Sequence, residues 1–317
     1  MNPSTAQGWR AEAESWPLVS AVIPTMNRPQ LLRRAVQSVI DQDYPGLIEC
    51  LVVYDGTEPV MPEVQLREGR TVQVLVNNRT KGLAGNRNTA YLAATGDLVG
   101  SCDDDDEWLP GKLRSQVELL RAHPEASAAA SGFVYHYRGK DLPREAELPA
   151  LSFADLLNDR HLEANASTYL IERAKLLNEI GLVDEQLPGS YAEDYELLLR
   201  AARLGPIVCV RQPQSRVYLH DSSFFASRWQ TINDALTYLL ERVPEFGQDP
   251  AGLARIEGQI AFSHAALGNR GSAARWAVRS LRKSRRARQS YAALVVASRL
   301  MSADRVLATA RRFGRGI

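Results

Sequence analysis

Residues 81–113 read KGLAGNRNTAYLAATGDLVGSCDDDDEWLPGKL, and the organisation of the chain can be worked outward from them. Leu83 to Ala94 reads as a helix stopped by Thr95-Gly96, since glycine ends helices readily. Asp97 to Cys102 is a short apolar run of the kind that forms a buried strand, and Asp103, Asp104, Asp105 and Asp106 follow it at once. Pro110 then opens a helix to about Ala122, because proline fits a first helical turn.

The preceding residues repeat this alternation. Leu18 to Ile23 (LVSAVI) reads as a buried strand ended by Pro24. Leu31, Leu32, Ala35, Val36, Val39 and Ile40 recur at helical spacing, with Asn27 as the expected cap. Ile48 to Val53 reads as a second strand ending at the turn Tyr54-Asp55-Gly56-Thr57, and Thr71 to Val76 as a third. Strands alternating with helices predict a mixed, mostly parallel sheet covered by helices. In such sheets ligands bind beyond the carboxyl ends of the strands, where Pro24–Arg28, Asp55–Thr57 and the four aspartates all fall.

Further strands are expected at 127–137 and 207–210, and Tyr191 to Leu204 reads as an acidic loop running into a helix. After 226 the pattern is helical only, over about 227–242, 251–267, 271–287, 289–300 and 302–312. The expected division is a flexible leader at 1–16, an α/β domain at 17–225 and a smaller basic helical domain at 226–317.

Composition narrows the function classes. Apolar residues are 45% and charged residues 24% of 317, an ordinary globular balance that excludes a mostly disordered chain. No apolar run approaches the roughly 20 residues that span a bilayer, and the N-terminal stretch lacks a secretory pattern. Cys50, Cys102 and Cys209 form no CxxC pair and read as reduced core residues of a cytoplasmic protein. Neither GxGxxG nor GxxxxGK[ST] occurs, which argues against dinucleotide enzymes and P-loop NTPases. The net charge of +1 hides a split: residues 1–220 carry 22 basic and 30 acidic side chains, and 221–317 carry 16 and 7.

Four adjacent carboxylates at a strand mouth repel one another. Either a hard divalent cation compensates them, or they form a solvated acidic turn with Asp106 near the next helix start. In an extended stretch Asp103 and Asp105 would point one way, and Asp104 and Asp106 the other. Asp55 either accepts an N–H from a nucleotide base or makes a local turn bond. Glu193-Asp194 heads an apolar helix, where acidic residues suit the macrodipole and could equally supply a general base. His220 reads as structural or as a nitrogen ligand to the same cation. Lys81, Arg87 and Asn88 either pair with phosphates or belong to a solvated surface.

Four segments in order resemble the inverting glycosyltransferases of family 2, which have the GT-A (Rossmann-like) fold. VSAVIPTMNR is similar to the family's first strand and donor-binding turn, and LVVYDGT to its acidic turn, with Tyr54 where the family often has a first Asp. Residues 81–113 resemble the stretch holding the Asp-x-Asp metal motif, and YAEDYELLLRAARLG the Glu-Asp catalytic segment. The resemblance covers residues 18–220 and implies a nucleoside-diphosphate sugar donor, UDP- or dTDP-type favoured, with Mn²⁺ or Mg²⁺ as cofactor. It implies that Asp55 binds the base, with Pro24, Thr25, Asn27 and Arg28 lining the same pocket and Lys81, Arg87 and Asn88 nearby. It further implies Asp103 and Asp105 as the Asp-x-Asp pair, Asp105 the direct ligand, Asp104 near the ribose, and His220 at the metal or diphosphate. Asp194, with Glu193 beside it, would be the catalytic base.

The acceptor is left open among a lipid-linked, natural-product or peptide molecule, and no nucleic-acid partner is expected. In 271–287 the expected apolar stripe is Ala274, Ala277, Val278 and Leu281, flanked by Arg275, Arg279, Arg282 and Arg286. That pattern suits docking to an anionic membrane face, binding of an acidic acceptor, or a solvated basic surface. A sugar nucleotidyltransferase and a catalytically silent binding protein of the same fold are the competing readings.

Overall fold

The computed structural model describes residues 16–219 and 228–312. Most of the expected leader and His220 therefore lie outside the described residues. Trp16, assigned to that leader, instead packs edge-on against Tyr44 at 5.4 Å between ring centroids.

The described chain runs β1 (Val19–Thr25), α1 (Pro29–Ile40), β2 (Ile48–Tyr54), β3 (Arg70–Val76), α2 (Leu83–Ala93), β4 (Leu98–Ser101), β5 (Glu107–Trp108) and α3 (Lys112–Ala122). It continues with β6 (Ala128–Tyr137), β7 (Lys140–Arg144), β8 (Ala150–Leu151), α4 (Phe153–Asn158), β9 (Leu170–Glu172), α5 (Glu193–Leu204) and β10 (Ile207–Tyr218). Helices α6 (Trp229–Arg242), α7 (Pro250–Ala266), α8 (Arg270–Lys283), α9 (Arg288–Ala297) and α10 (Ala303–Arg312) follow. No helix among the described residues is long and apolar enough to cross a membrane.

The strands form one mixed sheet in the order β3-β2-β1-β4-β9-β6-β10-β5, with β7 on β6 and β8 on β10. The long ladders β1–β2, β2–β3 and β6–β10 are parallel, as is β1–β4. The short ones made by β5, β7, β8 and β9 are antiparallel. Strand order reverses at β1, which pairs with β2 on one side and β4 on the other, so a crevice opens at their carboxyl ends. Leu32, Val36, Val39 and Ile40 of α1 pack with Val19, Ala21, Ile23 and Val52 in the core beneath.

Three local expectations are corrected. Pro24 does not end β1 but pairs with Val53 inside it. The β1–β4 ladder stops at Val22 opposite Ser101, so no strand waits for the N–H that proline lacks. Arg28, not Asn27, is the first cap of α1, and Asn27 takes the left-handed conformation at φ +54°. Strand β10 runs on to Tyr218 through irregularities at Pro213, where a proline and polar neighbours disguise the pattern.

The chain divides into two compact units. One holds the sheet and comprises the residues up to Phe153, His161–Glu185 and the segment from Glu193 to the end of β10. The other comprises Ala154–Arg160, Gln186–Ala192 and the helices from α6 onward. Within this second unit α7, α8 and α9 approach closely over small side chains: Ala261, Ala265, Ala273, Ala277, Ala293 and Ala297. Fully buried Glu257 is held by Arg279 and Lys283. The face of α8 turned inward is Ala273, Ala277 and Ser280, so of the expected stripe only Ala277 is buried, and Val278 is 44% exposed. Small residues win the inner face because the helices touch there, and Ser280 donates to the Ala254 carbonyl at 2.6 Å. Helix α8 ends at Lys283, so Arg286 leaves the basic stripe.

Candidate active site

The acidic run leaves β4 as a turn and not as a continuing strand. The Cys102 N–H still donates to Val22 O at 2.9 Å, and the Asp106 N–H folds back to Asp103 O at 3.0 Å. This turn undoes the expected alternation of side chains. Asp104 swings to β1, accepting from Thr25 Oγ1 at 2.7 Å and from Arg28 Nη1 at 3.2 Å. Asp103, Asp105 and Asp106 converge instead, with ligand oxygens all within 4.8 Å of one another. Asp106, which one of the two sequence readings put near the next helix start, is fixed in that cluster by Ser167 Oγ at 2.5 Å and the Tyr218 N–H at 3.1 Å. Arg28 also reaches Asp105, at 3.0 Å. Arg34 donates to the Asp105 carbonyl at 2.7 Å.

A freely solvated acidic turn does not fit this packing. Asp104 and Asp106 are 6% and 4% exposed. Burial pushes the Asp104 carboxyl up to about 6 and the Asp106 carboxyl well above the usual range. Asp103 is raised too, by burial first and then by Asp105 and Asp194, against the pull of Arg87. Crowded, desolvated carboxylates of this kind are stabilised by a cation.

Arg87 is the main surprise of the site. Expected on a solvated surface or at a phosphate, it is 1% exposed and lies between two acids. Its Nε donates to Ser101 Oγ at 3.1 Å, one terminal nitrogen contacts Glu193 and the other Asp103. Burial works against its charge, but Asp103 and further acidic neighbours outweigh that and raise its pKa. One guanidinium thus ties the acidic turn to the head of α5. Glu193 is committed to this contact. Asp194 beside it is 8% exposed, and its Oδ2 accepts the Ala166 N–H at 3.2 Å.

On the other side of the crevice, both oxygens of Asp55 hold the loop before α2. They accept from the Gly82 N–H at 2.8 Å and Asn77 Nδ2 at 3.0 Å. This is neither a local turn bond nor a bar to a ligand, since each oxygen keeps a lone pair. Asn88 departs from the expected phosphate role: its amide is spent on Val183 O, Val183 N and Glu185. Lys81 and Asn27 are exposed, and Pro24 is buried. Thr25, Arg28, Asp103, Asp104 and Asp105 come together. Arg34, Ser167 and Tyr218 were not singled out in the sequence, because a lone Arg, Ser or Tyr far along the chain carries no spacing signal.

The profile of Glycosyl transferase family 2 matches residues 20–180, just over half of the chain. The chain belongs to glycosyl transferase family 2. This family 2 chain is 31% identical over 150 residues to the GalNAc(5)-diNAcBac-PP-undecaprenol β-1,3-glucosyltransferase of Campylobacter jejuni, a match covering 43% of this chain and 47% of that protein. The chain spans about half or less of the length of the first curated relatives it matches. Among solved structures, S. aureus TarS 1-349 in complex with UDP-GlcNAc superposes with a TM-score of 0.59 at 15% identity, over 94% of this chain and 92% of that one. The mannosyltransferase PcManGT of Pyrobaculum calidifontis, in complex with GDP-Man and Mn²⁺, gives 0.52 at 18% identity, over 98% and 86%. These structural likenesses establish the GT-A fold of the sheet.

Proposed function

We propose that this family 2 chain is an inverting, metal-dependent glycosyltransferase. It moves a sugar from a nucleoside-diphosphate sugar to an acceptor hydroxyl or other nucleophile. The observation that carries this reading is the convergence of Asp103, Asp105 and Asp106 at the switch point of the sheet, tied through Arg87 to the helix that bears Asp194.

Asp103, Asp105 and Asp106 offer hard oxygen donors, the set that suits Mn²⁺ or Mg²⁺. Such an ion, when bound, stabilises the negative charge of the departing diphosphate. The protein's own groups do the rest. Asp55 receives the base, with Pro24, Thr25, Asn27 and Arg28 beside it, and Asp104 lies toward the ribose. Asp194 takes the proton from the acceptor as it attacks the sugar carbon. The carbon–acceptor bond forms as the bond to the diphosphate breaks, in one in-line displacement that inverts the configuration. A general base of this kind is worth about 10²–10⁴-fold in rate.

The nucleotide stays open between uridine or thymidine and other bases, since the two solved neighbours carry UDP-GlcNAc and GDP-Man. A lipid-linked acceptor is the reading favoured by the undecaprenol-linked substrate in the relative's name. It goes with a cytoplasmic protein in peripheral contact with the membrane. Release of nucleoside diphosphate from a donor panel, with and without Mn²⁺, tests the proposal. Asp194→Asn should lower turnover at least a hundredfold with folding intact, and Asp105→Ala should abolish the metal dependence of nucleotide binding. Turnover unchanged in Asp194→Asn would overturn the base assignment.

A further inference from the structure

We propose that the surface where α8 runs into α9 is a docking face for an anionic lipid bilayer. The choice of occupant deepens, and rests on, the lipid-linked acceptor reading above. The observations themselves belong to the helical unit alone. Residues 270–288 hold eight basic and no acidic side chains. Two of the eight, Arg279 and Lys283, are answered by buried Glu257. Arg282, Arg285, Arg286 and Arg288 are exposed, with no carboxylate partner among the described residues. Like charges gathered on one corner repel unless an outside anion balances them.

Apolar side chains share that corner. Val278 is 44% and Tyr291 49% exposed, and Val278 and Leu281 line, with Arg282, Lys283 and Arg285, a shallow recess of about 570 Å³. A polyanion in water gains nothing from an exposed valine. A bilayer interface rewards both kinds of group, taking apolar side chains into the headgroup layer while its anionic lipids meet the guanidiniums. Each basic side chain held at such a surface contributes about fivefold in affinity. No transmembrane helix is needed for contact of this strength.

Co-sedimentation of the full chain with vesicles tests the proposal. Vesicles of phosphatidylglycerol in phosphatidylcholine should pellet the protein at low salt, pure phosphatidylcholine should not, and raised salt should release it. The combined variant Arg282→Gln, Arg285→Gln, Arg286→Gln should bind the mixed vesicles about a hundredfold more weakly, and Val278→Asp should weaken binding on its own. Equal pelleting by both vesicle types, or wild-type pelleting of the triple variant, overturns the proposal. So does binding to polyglutamate with no pelleting on either vesicle. Metal-dependent donor hydrolysis in vesicle-free buffer is read in parallel. It should be unchanged in the triple variant. Its absence in wild type would sink the transferase reading without touching the docking result.

Discussion

Arg87 illustrates how much a single buried residue decides here. Its guanidinium serves Glu193 and Asp103 from a position shielded from water. Removing it leaves a carboxylate buried without a counter-charge, which costs about 3–5 kcal/mol. Arg87→Met should therefore lower the urea midpoint sharply, and Arg87→Lys should recover only part of the loss, because an ammonium cannot span both acids. Lys112 gives a pH test. Fully buried, with Nζ 2.6 Å from Gln116 Oε1, it is pushed down by burial to about 7. Between about 7 and its ordinary value of 10.5 the unfolded chain holds a proton that the fold rejects. Wild-type stability should then rise with pH across that window relative to Lys112→Met, as measured by melting temperature. A flat difference would contradict it. At this scale their places after strands and before a helix singled out Asp55, the aspartate run and Glu193-Asp194 but left each between a ligand role and a local one, and only the family resemblance named Asp194 as the base. The sequence did not disclose the burial of Arg87, since nothing in the letters around position 87 shows which side of α2 meets Asp103 and Glu193.

At the scale of elements, α1, α2, β1 to β4 and the late helices were readable from apolar spacing, although Pro24 misplaced the end of β1 and the end expected for α8 overshot Lys283. Lys140–Arg144 was not, being exposed along its whole length with no alternation. Leu170–Glu172 was too short to carry a period. Ala192, with φ +65° immediately before α5, is invisible to composition altogether. Gly85 is a position whose reason emerges only in three dimensions. A Cβ there would fall 1.9 Å from the Thr80 carbonyl oxygen, so α2 and the loop that Asp55 holds can meet only at a glycine. Gly85→Ala should cost about 1–3 kcal/mol in stability and raise KM for the donor more than it lowers kcat. Equilibrium unfolding and steady-state kinetics on the same variant check both halves.

For the whole molecule, the charge split of the sequence corresponds to two units of unlike construction, a sheet that gathers acids and a helical array that leaves arginines in solvent. The sheet unit should respond to ligands as one body. Mn²⁺ with a nucleoside diphosphate at a hundred times its dissociation constant should add about 2.7 kcal/mol of stability, visible as a rise in melting temperature that chelation reverses. Asp105→Ala should lose that rise.

The place of β10 sets an order of events during synthesis. This strand lies between β6 and β5, pairing with residues roughly eighty and a hundred positions earlier, and its Tyr218 N–H steadies Asp106 across 112 residues. A nascent chain still short of that strand carries β6 with one side open and an acidic turn missing a donor. Such long-range closure is slow, and the waiting edge is sticky. The sheet therefore closes only once the chain has passed Tyr218, and until then shielding of that edge should help the yield of folded protein in a cell.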